Sequence, residues 1–259
     1  MTIIKHVLPD YKEISILPLA DLHMGDIHCD FKRVMEWIDY VKSNDNVFAI
    51  LNGDLMDVAI MGSIASKSVY IASLNPMEQL QQCVAIFEPI RDKILAVLPG
   101  NHELRLMNDG LDLTEVMCSQ LGIVDRYASA SALLFVRVGK DKDRTHHQRP
   151  VLYTVFVSHG RGGGRKEGGK LQRLVDLSAI VDADIYVHSH THLPIIAKTS
   201  YYRVSGANST VSKVDKLFVN TSSALEYGGY GELQNYKPNS LDTPVIHLDG
   251  TRRKATATL

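Results

Sequence analysis

Residues 13–23 read "EISILPLADLH". An apolar run from Ile14 to Ala20 breaks off into Asp21 and His23. A near-continuous apolar run of this length is the pattern of a buried strand. Residues 30–44, "DFKRVMEWIDYVKSN", follow with apolar positions at helical spacing, and Asp30 is placed to cap the start. "NVFAILN" (46–52) is strand-like again. "NPMEQLQQCVAIFEPIRD" (75–92) opens with Asn75, Pro76 and Glu78, a cap, a first-turn proline and the partner of a capping box. "KILAVLP" (93–99) is the next strand. Strand, helix, strand, helix, strand predicts parallel pairing through crossover helices.

The second half changes character. Spacing predicts a helix over 112–122 and strands at "SALLFVRV" (131–138) and "VLYTVFVSH" (151–159). The charged connector between them, 139–149, reads as a hairpin loop, and its His146 and His147 as solvated. A helix at 170–181 leads into the strand "ADIYV" and then "VHSHTH" (187–192). Short strand-like pieces follow, "SYYRVSG" (200–206) and "KLFVNTS" (216–222). The last pair is "TPVIHL" (243–248) and "RRKATATL" (252–259), with "DG" as the turn and His247 structural. No repeat, low-complexity tract or Pro/Ser-rich linker interrupts the chain. The expectation is one domain over 1–259, mixed α/β in front and β-rich behind.

Composition excludes several classes. The net charge of −1 leaves no global basic field for coating long nucleic acid, though a local basic rim is compatible with it. Cys29, Cys83 and Cys118 are widely spaced and form no metal or redox motif, which fits reduced thiols in the cytoplasm. The first residues lack a signal-peptide core, and no apolar run is long enough for a bilayer.

What stands out is the polar cluster at the end of each of five strands. These are Asp21-Leu22-His23, Asn52-Gly53-Asp54 with Asp57 beyond, Gly100-Asn101-His102-Glu103, Ser158-His159-Gly160 and His190-Thr191-His192. Each alone is an ordinary turn. Together they sit where open α/β sheets place their ligands. Carboxylates, imidazoles and one amide, without a thiolate, suit divalent ions such as Mn²⁺, Fe²⁺ or Zn²⁺. The set is too large for one catalytic ion, which keeps about three protein ligands. Two ions sharing a carboxylate would use it all and could clamp a phosphate.

In that order, "DLH", "GDLMD", "GNHE", "SHG" and "HTH" resemble the five blocks of the calcineurin-like metallophosphoesterase superfamily, across about two thirds of the chain. The resemblance implies a β-sandwich of mixed sheets flanked by helices and a dinuclear centre. By position it implies Asp21, His23 and His192 on one ion, Asn101, His159 and His190 on the other, and Asp54 bridging them. Manganese is the first expectation, with iron, zinc or nickel as alternatives. His102 would not be a ligand: its counterpart stabilises the transition state and protonates the leaving oxygen. Ser189 stands where the family usually has glycine. His188, Asp57 and Glu103 are expected to orient ligands or His102. Arg105 and His28 lie beside motif residues and read as solvated.

The substrate is less constrained. The loop "HGRGGGRKEGGK" (159–170) begins at a candidate ligand and carries Arg161, Arg165, Lys166 and Lys170 among glycines, against a single Glu167. Amides and cations of this kind suit a phosphate beside the scissile one. The resulting expectation is a phosphodiesterase acting on DNA, RNA or a nucleotide, with repair nucleases as the functional analogy. A phosphomonoesterase, including a protein phosphatase, is the alternative. A non-catalytic binding scaffold of the same fold is the rival from another class. No membrane partner is expected.

Overall fold

A computed structural model describes the chain except residues 63–65, 67, 108–109 and 141–148, with backbone only at 230. His146 and His147 therefore lie outside the described residues. Eleven strands form two mixed sheets among the described residues. In the five-stranded sheet, β2 (Glu13–Leu19), β3 (Val47–Asn52) and β4 (Ile94–Leu98) run parallel. The crossovers carry α1 (Phe31–Ser43) and α2 (Pro76–Phe87), as the alternating front half predicts. Asp30 accepts from Arg33 N, and Asn75 with Glu78 completes a capping box. β10 (Val245–Asp249) and β11 (Ala255–Thr258) extend the sheet on the β2 side, antiparallel. Their connection spans residues 250–254, so Asp249-Gly250 is not a two-residue hairpin turn. Tyr153 Oη explains the longer turn: it lies 2.7–3.0 Å from the carbonyls of Asp249, Arg252 and Lys254, pinning the loop open.

The six-stranded sheet has the order β1-β5-β6-β7-β9-β8. β5 (Ser131–Val138) and β6 (Val151–Ser158) pair antiparallel, as expected for strands flanking one connector. β6, β7 (Ile185–His188) and β9 (Thr210–Asn220) run parallel. Two elements depart from expectation. The N-terminal residues form β1 (Thr2–Leu8), which pairs with β5. The short pieces near 200 and 216 are the second halves of two eleven-residue strands, β8 (Ile195–Ser205) and β9, that pair as a long hairpin. Much of that hairpin is exposed and polar, so apolar periodicity underestimates its length.

Apolar side chains fill three layers. Between the sheets pack Ile16, Ile50, Leu98, Val155, Val187 and Val219. α1, α2 and α4 (Leu113–Leu121) cover the outer face of the five-stranded sheet through Val34, Ile38, Leu80, Phe87 and Met117. α5 (Glu167–Asp176), after the short α3 (Leu104–Met107), covers the other outer face through Leu174, over Phe156, Tyr186 and Phe218. A last short helix, α6 (Gly229–Leu233), follows β9. The fold is thus a two-sheet sandwich between helices. It brings the carboxyl ends of β2, β3 and β4 against those of β6 and β7, where the polar clusters lie.

Candidate metal centre

The five clusters converge. Three groups of side chains each offer ligand atoms within 4.8 Å of one another: Asp21, His23 and His192; His23, Asp54 and His102; Asp54, His159 and His190. His192 Nε2 lies 3.2 Å from Asp21 Oδ1 and 3.5 Å from His23 Nε2. His159 Nε2 lies 3.3 Å from both Asp54 Oδ2 and Asn101 Oδ1. The His159 and His190 rings meet with centroids 5.3 Å apart. Asp54 belongs to two of the three groups, between the other candidate ligands.

The backbone is bent to achieve this. Among the described residues, eight non-glycine positions have left-handed φ, and five are Asp21, His23, Asp54, His190 and His192, at 50–66°. Asp and His tolerate this region better than most side chains, yet each such residue costs about 1–3 kcal/mol. Such strain is a signature of functional sites. Residues two apart in "VHSHTH" would point the same way in a strand, but the strand does not persist through it. β7 ends at His188, and His190 and His192 reach the cluster from a contorted loop. Gly53 and Gly100 complete the crossing. A Cβ on Gly53 would stand 2.5 Å from Gly100 N, and one on Gly100 would stand 2.1 Å from Asp54 Oδ1.

Second contacts fix the rings. His159 Nδ1 donates to Asn52 O at 2.7 Å, which turns Nε2 toward Asp54. His102 Nδ1 lies 2.7 Å from Asp57 O and 3.0 Å from Asp57 Oδ1, leaving Nε2 3.8 Å from Asp54 Oδ2. The acid beside the His102 ring is thus Asp57. Glu103, fully buried, instead accepts backbone N–H groups: Asp54 and Gly100 on Oε2, at 3.0 and 2.8 Å, and Met56 on Oε1 at 2.9 Å. It ties the loop after β3 to the loop after β4. His188 Nδ1 donates to Asn220 Oδ1 at 2.7 Å, and its ring closes on Gly160, next to His159. Ser189, in the usual glycine position, accepts from Asn52 Nδ2 at 2.7 Å.

Charge is concentrated here. Burial works against a charged His159, but Asp54 outweighs it and pushes the pKa up to about 10. For His102, too, burial is outweighed by Asp54 and Asp57, and its pKa is raised. Burial carries His190 down to about 4, so it is neutral near pH 7. Burial would raise Asp54, yet the neighbouring imidazoles hold it well below the carboxylate range.

The donor set fits divalent ions. His190 Nδ1 is buried without a hydrogen-bond partner. The ring nitrogens of His23 and His192 face each other at 3.5 Å beside Asp21, close enough to share one ion. Oxygen and imidazole donors without sulfur match a borderline metal.

A calcineurin-like phosphoesterase model matches residues 22–194. The chain belongs to this family. No curated protein matches it. Among solved structures, a predicted phosphoesterase of Streptococcus pneumoniae is similar at 18% identity, over 95% of this chain and 88% of that one, with a TM-score of 0.38. Zinc-complexed Vps29 of Entamoeba histolytica is similar at 11% identity, over 95% and 98%, with a TM-score of 0.41. GAP50 of Plasmodium is similar at 9% identity, over 95% and 84%, with a TM-score of 0.43. Family membership and the His/Asp groups together support a metal-dependent phosphoesterase. No helix among the described residues is long and apolar enough to cross a membrane.

The glycine-rich loop behaves differently from its phosphoesterase core. Arg161, Arg165 and Lys166 are exposed. Arg165 lies over the Tyr236 ring at 5.5 Å. The loop's carbonyls are gripped by Arg173, which donates to Arg161 O at 3.1 Å, Gly163 O at 2.7 Å and also Gly162 O. Sequence reasoning misses Arg173, and it counts Lys170 among the loop's phosphate-facing cations, whereas Lys170 donates inward to Thr191 O at 2.7 Å. It misses Ser223 too, whose hydroxyl donates to Asp21 O at 2.9 Å from beyond β9. Arg105 is half-buried and donates to Asp57 O at 2.6 Å and Val58 O at 3.2 Å, so it braces the loop that holds His102 and is not a solvated surface group. These contacts run to backbone atoms, which leave no spacing signature in a sequence.

Proposed function

We propose that the chain is a dinuclear phosphodiesterase, with manganese as the first candidate metal and a nucleic acid or nucleotide as substrate. The observation that carries the reading is the placement of His102. Its Nδ1 end is fixed on Asp57, and its Nε2 end is left beside the shared carboxylate Asp54. Asp21, His23 and His192 would hold one ion, His159, His190 and Asn101 the other, and Asp54 both. When bound, the ions supply Lewis acidity toward phosphoryl oxygens and lower the pKa of water. Asp54 and Asp57 outweigh burial and favour the protonated form of His102, and in this reading its Nε2 proton would pass to the leaving oxygen. That donation matters most for a poor leaving group such as the sugar alkoxide of a phosphodiester. Arg161, Arg165 and Lys166 at the rim would contact flanking phosphates. The complete ligand set and His102 speak against a non-catalytic scaffold.

The test is turnover by Mn²⁺-loaded protein of a bis-aryl phosphate diester, an aryl phosphate monoester, and single- and double-stranded DNA. Diester and DNA cleavage above the monoester rate is expected. A faster monoester would make the protein a phosphomonoesterase. No turnover with two ions bound would make it a scaffold.

A further inference from the structure

α5 lies on the outer face of the six-stranded sheet, anchored by buried Leu174. Lys170 is one turn earlier on the same helical face. Its side chain is half-buried, and its ammonium donates to the carbonyl of Thr191 at 2.7 Å. Thr191 is buried and separates His190 from His192, which sit in different clusters. Both histidines have left-handed φ, 66° and 54°, so the peptides around Thr191 carry much of the strain of the site. Other ties on this loop are Asn52 Nδ2 to Ser189 Oγ at 2.7 Å, Ser189 N to His159 O at 3.1 Å, His190 N to Asp21 Oδ2 at 3.0 Å, Thr191 N to Ser189 O at 2.7 Å and Asn220 Nδ2 to Leu193 O at 2.7 Å. Lys170 is the tie on the carbonyl midway between the two imidazoles, and it comes from outside the metal cluster.

We infer that Lys170 is a positioning residue that sets the spacing of the two metal sites, by holding the Thr191 carbonyl between His190 and His192. The inference rests on the dinuclear reading above. The Thr191 carbonyl lies in the peptide that adjoins the left-handed φ of His192, so its release lets His192 relax directly and shifts His190 through Thr191, which joins them. The two sites should then weaken together, unlike the loss of one site expected when a single ligand is removed.

Lys170→Met keeps the aliphatic stem and removes the donor, whereas Lys170→Arg keeps a charged donor. Metal stoichiometry and affinity are measured by calorimetry with Mn²⁺. The exchange-coupled electron paramagnetic resonance signal of a manganese pair reports the spacing without turnover. Lys170→Met should weaken both sites by about 10- to 100-fold, the usual effect of losing a group that orients ligands, and alter the coupled signal. Lys170→Arg should restore both. His192→Ala, run in parallel, should lose one site only. If wild type binds two ions and His192→Ala loses one, while Lys170→Met matches wild type in affinity and signal, Lys170 merely docks α5 and the inference fails alone. If wild type binds fewer than two ions, the dinuclear reading fails and the inference with it. Should Lys170→Met not fold, Lys170→Gln takes its place in the same measurements: weakening of both sites supports the inference, and wild-type affinity and signal overturn it.

Discussion

Two neighbouring parallel strands, β6 and β7, end in loops of opposite build. After β7, residues 189–192 are buried or half-buried, twice left-handed, and tied by Asp21, Asn52 and Lys170. After β6, residues 161–169 are exposed, and Arg173 alone holds several of their carbonyls. The first loop carries candidate ligands and the second carries cations. Rigid geometry is needed where metal and reacting atoms meet, since small displacements there are expensive. Contact with a long, varied substrate tolerates a compliant loop. On the proposed reading, strain and burial serve the chemistry and recognition falls to the surface loop.

Removing the centre of the rigid region is the severest test. Asp54→Asn takes away the one carboxylate shared by both sites, so both should weaken and turnover should fall by more than the roughly 10–100-fold typical of an orienting residue. Metal analysis after dialysis checks this. A single ion retained with full activity would end the dinuclear reading. Chelation of the wild type should abolish turnover and destabilise the fold. Ions present at about 100 times their dissociation constant contribute about 2.7 kcal/mol, or roughly 5–10 °C in Tm for a chain of this size.

His102 sharpens the comparison within the rigid region. It lies among the candidate ligands, yet its proposed role is protonation of the leaving oxygen. His102→Ala should keep both ions and the thermal midpoint while losing roughly 10²–10⁴ in rate. The loss should shrink for a nitrophenolate leaving group, which needs little protonation. Metal loss like that of His192→Ala would instead make His102 a ligand.

The candidate site was legible in the sequence as a set of residue types at strand ends: Asp21, His23, Asp54, Asn101, His159, His190 and His192 each read as ordinary turn residues, and the structure brings them together. The parallel front half was legible because α1 and α2 carry caps and apolar stripes. The geometry behind them was not. Alternation in "VHSHTH" suggests a strand, but tertiary ties override it after His188. Glu103 stands beside His102 in sequence and yet serves the amides of Asp54, Met56 and Gly100, while Asp57 takes the ring. Lys170 and Arg173 meet only carbonyls, and any long cation on α5 reads alike from sequence.

Glu103 gives a smaller effect, on stability. Its carboxylate accepts three buried N–H groups. Glu103→Gln keeps the shape but turns an amide group toward one or more of those donors. A buried donor left unmatched costs about 1–3 kcal/mol. Urea denaturation of the metal-free protein should show a loss in that range with an unchanged slope. An unaffected midpoint would mean the two loops are held together elsewhere.

The compliant loop gives the smallest and most selective effect. If Arg161, Arg165 and Lys166 contact phosphates beyond the scissile one, neutralising all three to Gln affects only substrates that have such phosphates. KM for a single-stranded oligonucleotide should rise, and the slope of log affinity against log salt should fall by roughly 2, at about 0.7 per lost contact. A bis-aryl diester has no second phosphate, so its kcat and KM should stay within about twofold, since neither the candidate ligands nor His102 is touched. Arg165 already has a partner in Tyr236, so its share of the salt slope should be the least of the three. Unchanged oligonucleotide kinetics would reduce the loop to a connector and remove the local support for a nucleic-acid substrate. An equal loss on the small diester would say something different: that Arg173 couples the loop to His159 and the metal site, and that the two loops are one device after all.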